Sequence, residues 1–223
     1  MSVKKQISLI FGGVAVTFAV LTVVMGAFSP SESAWIVNVF RDKVLVFIIV
    51  PVFLLISAYA DGFFKIPAIV RMQNRRKSVQ MNFIYKSVIA FVEMTIYFVL
   101  FIIVSIIYYR GIVGKTPLEV LFLYILYILN LILVAVVTEI FKHSEKRGLN
   151  ISPYMLTYVI VIAEDMIIIP TVKNSFDFLG LGKMFLFFSW VFDGSIKGII
   201  ITTVFVTVCT AYLFKVSSRK DII

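Results

Sequence analysis

The sequence predicts an all-α integral membrane protein with six transmembrane helices and both termini in the cytoplasm. Three observations carry the prediction. Hydrophobic residues make up 61% of the 223-residue chain and charged residues 15%, where soluble domains run near 45–50% and about 25%; mean hydropathy is +1.05. The apolar runs are continuous and close to the ~20 residues that cross a hydrocarbon core of ~30 Å, whereas a membrane β-barrel reads as alternating segments of about ten residues. Finally, 14 of the 21 Lys and Arg residues fall in segments that a six-span path leaves inside, the bias that sets orientation.

The spans follow in order at residues 7–28, 44–60, 88–109, 118–141, 151–170 and 198–214, forming one transmembrane domain over residues 1–223. Lys4 and Lys5 hold the N-terminus inside, and the first run reads as a retained span because Met25–Pro30 is a poor cleavage site. Ser29–Ser33 is a turn-rich outer loop, Trp35 suits an interface, and Pro51 is a kink site in the second span. Met184–Phe192, ending near Trp190, is too short to cross and sits between Gly180-Leu-Gly-Lys183 and Asp193-Gly-Ser195. It reads as a re-entrant or interfacial segment on the outer side, before the last span.

The chain is organised around Asp61–Lys86, its longest polar interruption, where Lys65, Arg71, Arg75, Arg76, Lys77 and Lys86 face the single acid Asp61. Within it, Ile66–Asn82 alternates apolar and basic residues, with Pro67 placed for a first turn. The pattern fits a short amphipathic helix on the membrane surface or a plain positive-inside loop.

Several chemistries are excluded. The net charge of +9 sits in short loops at span ends, where topology and lipid head groups account for it, so no nucleic-acid partner is expected. Gly114-Lys-Thr116 ends like a phosphate-binding loop, but Tyr109 stands where the pattern needs its first Gly. The chain is therefore not expected to hydrolyse ATP. One cysteine, Cys209, and one histidine, His143, allow neither a disulfide nor a zinc-ligand pattern. No cofactor, metal or catalytic residue is expected.

Acids inside spans are costly and mark candidate sites. Glu93 lies one to two turns from the inner end of span three, on the face of Lys86, seven residues earlier. Glu139 sits near the inner end of span four, beside Lys142 and His143. Glu164 and Asp165 lie near the outer end of span five; adjacent helical residues differ by about 100°, so at least one should face protein or a water-filled cavity. They, with Glu93 and Trp190, are the candidate translocation-path or gate residues.

Six spans, internal termini, a long basic loop after span two and a broken hairpin before span six together resemble the permease subunits of bacterial type-2 ATP-binding-cassette (ABC) exporters, especially those for peptides, bacteriocins or drugs. The local likeness is Val70-Arg-Met-Gln-Asn-Arg-Arg-Lys-Ser78 running into Phe83-Ile-Tyr-Lys-Ser87. The resemblance implies a protein of the bacterial cytoplasmic membrane that pairs with a second permease chain, identical or related. It implies a separate ATP-binding cassette ATPase docked on the coupling segment, with Arg71, Arg75, Arg76 and Lys77 as the coupling residues, and a hydrophobic or amphipathic cargo moved outward. The rival readings are an ATP-independent, proton-coupled carrier or substrate-capture subunit that uses the membrane acids, and an immunity or structural membrane protein.

Overall fold

The computed structural model describes residues 3–27, 44–71, 75–109, 117–144, 152–164, 166 and 196–218. These residues are helical almost throughout. α1 spans Val3–Ala27, α2 Val50–Arg71, α3 Arg75–Tyr109, α4 Pro117–Ser144, α5 Pro153–Ala163 and α6 Ile196–Ser218. Three stretches are long and apolar enough to cross a membrane: Lys77–Ile107, Val120–His143 and Gly198–Ser217. Gly12–Val24, Leu45–Asp61 and Pro153–Ala163 are shorter apolar helices.

α2 is entered through a π-helical turn, Leu45–Ile49, in which the Val50 N–H donates to the Leu45 carbonyl. The widened turn directly precedes Pro51, whose ring would crowd the carbonyl four residues back and which has no N–H to give. Pro153 opens α5, where its missing N–H costs no helical bond.

α3 and α4 form the centre. α3 packs against α1, α2, α4 and α6, while α4 also packs against α5 and most extensively against α6. The core runs along these seams. Phe18 of α1 meets Tyr97 of α3 edge-to-face, with ring centroids 5.0 Å apart, and Phe53, Met94, Phe101, Tyr127 and Leu131 are fully buried around them. A smaller cluster of Val79, Val136 and Leu213, flanked by Phe83 and Phe214, joins α3, α4 and α6. The cross-helix contacts bring together the middle of α2, the first third of α3, the C-terminal parts of α4 and α6, and the start of α5.

The outward faces are apolar. Val99, Ile103, Ile106 and Ile107 line one side of α3, and Ile200, Val204, Val208 and Tyr212 one stripe of α6. Greasy stripes at three- to four-residue spacing suit lipid and would be a liability in water.

Helix boundaries depart from the hydropathy runs. Ile66–Asn82 is not a separate surface helix: Ile66–Arg71 finishes α2, with Pro67 inside it, and Arg75–Asn82 begins α3. Polar side chains end an apolar run without ending the backbone ladder, so both helices continue past the points where hydropathy falls. Met184–Phe192, Trp190 and Asp165 lie outside the described residues.

Candidate functional site

Near the C-terminal ends of α4 and α6, four helices contribute to one ionic cluster. α2 supplies Asp61, α3 Lys86, α4 Glu139, Lys142 and His143, and α5 Tyr154. Lys86 Nζ donates to Glu139 Oε1 at 2.5 Å and lies 3.3 Å from Asp61 Oδ2. Lys142 Nζ donates to Asp61 Oδ2 and to Glu139 Oε1, the latter at 3.1 Å. Each carboxylate therefore meets both ammonium groups, and the four formal charges cancel.

Tyr154 closes the ring. Its hydroxyl donates to Asp61 Oδ2 and accepts from Lys86 Nζ at 3.2 Å. The ammonium groups of Lys86 and Lys142 lie 4.9 and 5.4 Å from the centroid of its ring, within cation–π range. Pro153 sets this geometry by fixing where α5 begins, so that Tyr154 is held in the first turn. One turn further along, the hydroxyls of Thr138 and Thr157 meet at 3.1 Å and continue the α4–α5 seam.

The cluster has a dry side and a damp side. The Lys86 and Glu139 side chains are 1% and 0% exposed, those of Asp61 and Lys142 12% and 18%. His143 Nε2 lies 3.6 Å from Glu139 Oε2. Buried charges survive when opposite charges meet them in good geometry; here each ammonium is shared between two acids with the Tyr154 ring beside it, while Glu139 Oε2 takes no hydrogen bond. The arrangement is a clamp that joins four helices. The described residues hold no group of three or more His, Cys, Asp or Glu placed to bind a metal ion.

The candidate residues from the sequence divide. Glu139 meets Lys142 and His143 as expected and adds Lys86 from another helix. Lys86 is no loop cation and does not pair with Glu93; it is buried inside α3 and turned to Glu139 and Asp61. Glu93 lies near the middle of the Lys77–Ile107 stretch rather than near its inner end, fully buried, and neither carboxyl oxygen has a hydrogen-bond partner. The reason for both corrections is the same. α3 begins at Arg75, well before the apolar run, which carries Lys86 into the bundle and Glu93 to its centre.

Glu164, 3% exposed, lies at the end of α5 beside a cavity of about 30 Å³ lined also by Leu133, Val134 and Val137 of α4 and by Thr157, Ile160 and Val161 of α5. That space holds about one or two waters and no larger cargo. Lys77 is exposed near the start of α3, Arg71 is the last residue of α2 and Arg75 and Arg76 are the first of α3. Asp61 and Tyr154 were not singled out as partners in the sequence. The available signal was charge balance, since Asp61 is the sole acid within the basic stretch of residues 61–86.

A scan against protein-family models gives no match, and searches of the curated proteins and of the solved structures give none either.

Proposed function

We propose that the chain is the transmembrane permease subunit of a bacterial ABC exporter, crossing the cytoplasmic membrane six times with both termini inside. A separate cassette ATPase drives it, a second permease chain completes it, and its cargo is hydrophobic or amphipathic. The observation that carries the reading is the mechanical continuity between the basic stretch and the bundle. Arg71, Arg75, Arg76 and Lys77 stand at the adjoining ends of α2 and α3, and the ionic cluster ties those same helices, through Asp61 and Lys86, to α4 and α5. A push delivered at the helix ends is thereby passed to helices lining the interior. Acidic groups on the ATPase would meet the four cations as charge-assisted pairs.

The test is purification of the tagged chain in mild detergent from its own membrane, with partners identified by mass. A stoichiometric cassette ATPase is expected, and it should be lost when Arg71, Arg75, Arg76 and Lys77 are all changed to Glu while the permease still reaches the membrane. Retention of the ATPase by that variant would remove the coupling role. A chain that purifies alone would favour the second reading, an ATP-independent carrier, for which the buried Glu93 and Glu164 are the supporting observation.

A further inference from the structure

We propose that Glu93 is a proton-binding site at the centre of the bundle, occupied in the conformation described here. Glu93 follows Lys86 by seven residues, so the two share a stripe of α3 about 10 Å apart along its axis. Lys86 faces the interior, because its partners stand on α2, α4 and α5. Glu93 faces the same interior two turns deeper, with no exposed surface and with both oxygens unpartnered.

No charged group among the described residues pairs with it. On α2, Asp61 is engaged with Lys86 and Lys142, and on α4, Glu139, Lys142 and His143 belong to the same cluster. Glu164 of α5 stands beside the α4–α5 cavity, Lys215 lies in the last turn of α6, and α1 carries no charged residue between Gly12 and Val24. An ionised carboxylate held there would keep a desolvation cost of several kcal/mol with nothing opposite to offset it. A neutral carboxylic acid leaves only an unsatisfied polar group, at about 1–3 kcal/mol. A proton also needs no cavity.

The site is functional as well as tolerable, because its neighbour along the stripe is a cation already shared between two acids. Helical side chains lean toward the N-terminus, so the Glu93 carboxyl leans toward Lys86. Loss of the proton would create a third acid competing for Lys86, and the clamp would be left to Lys142. The proton on Glu93 thus favours the closed cluster. This holds whichever partner the basic helix ends meet.

The test is infrared spectroscopy of the full chain in lipid vesicles at neutral pH. A carbonyl band of a protonated carboxyl is expected, absent in Glu93→Gln and retained at a shifted position in Glu93→Asp. A band that Glu93→Gln leaves unchanged, or no such band in the wild type, overturns the proposal. Should Glu93→Gln fail to insert, labelling of the wild type with dicyclohexylcarbodiimide decides. The carboxyl O–H adds across one N=C bond of the reagent, with the new C–O bond formed and the proton passed to nitrogen, and the adduct rearranges to a stable N-acylurea. Adduct is expected at Glu93, whose oxygens have no hydrogen-bond partner, and not at Asp61 or Glu139, which are engaged with lysines. Adduct at Asp61 or Glu139 without any at Glu93 overturns the proposal.

Discussion

Glu139 and Glu93 sit on neighbouring packed helices, and neither has any exposed surface. Glu139 takes hydrogen bonds from two lysines and has a histidine beside it; Glu93 takes none. Burial is the same and environment is opposite. The first region is a network of opposite charges drawn from four helices, while the second is an isolated carboxyl in an apolar centre. The difference teaches that burial alone does not define the role of a membrane acid. What decides is whether opposite charge arrives from another helix, and that depends on helix register rather than on hydropathy.

The same isosteric change at the two sites tests this most directly. Glu139→Gln leaves Lys86 buried with only Asp61 opposing it and should cost about 3–5 kcal/mol, as removal of one partner of a buried pair does. Unfolding in detergent, followed by denaturant titration, measures it. Lys86→Met should cost a similar amount, because it leaves the buried Glu139 with Lys142 as its one lysine partner. The double change Lys86→Met with Glu139→Met removes both charges from the dry side and should cost clearly less than the two single changes added together. An additive result would mean that the pair is not coupled.

A smaller effect is expected at the rim. Tyr154→Phe keeps the ring beside the lysines but removes the hydroxyl shared by Asp61 and Lys86, and should cost about 1–3 kcal/mol. Smallest of all, Glu93→Gln should change stability by less than about 1 kcal/mol, since an amide replaces a neutral acid of the same shape. A Glu93→Gln cost as large as that of Glu139→Gln would erase the contrast between the regions and show that Glu93 has a partner.

Much of the fold was legible because apolar runs report the solvent around a helix. The runs at 118–141 and 198–214 fall inside α4 and α6 with little left over. The runs at 44–60 and 88–109 stop short of α2 and α3 because Asp61–Lys86 is polar while its backbone, outside residues 72–74, is still helical. Hydropathy measures where lipid ends, not where hydrogen bonding ends. Of the cluster, only the contacts of Glu139 with Lys142 and His143 could be read, being three and four residues apart on one helix. Lys86 with Glu139 and Lys142 with Asp61 are separated by 53 and 81 residues. No local pattern carries such pairings; they follow from the antiparallel register of α3 with α4 and the parallel course of α2 with α4.

The cancellation of charge within the cluster has an electrical meaning. Asp61, Lys86, Glu139 and Lys142 sum to zero formal charge, so a transmembrane voltage exerts no net force on them as a group. The clamp can shift along the membrane normal as one body without electrical work, and such a movement would pass no current. Splitting it is different. Each lysine carried alone across the full field exchanges about 2.3 kcal/mol per 100 mV with the membrane potential. A charge-displacement recording on an oriented bilayer would therefore separate a cluster that travels whole from one that comes apart.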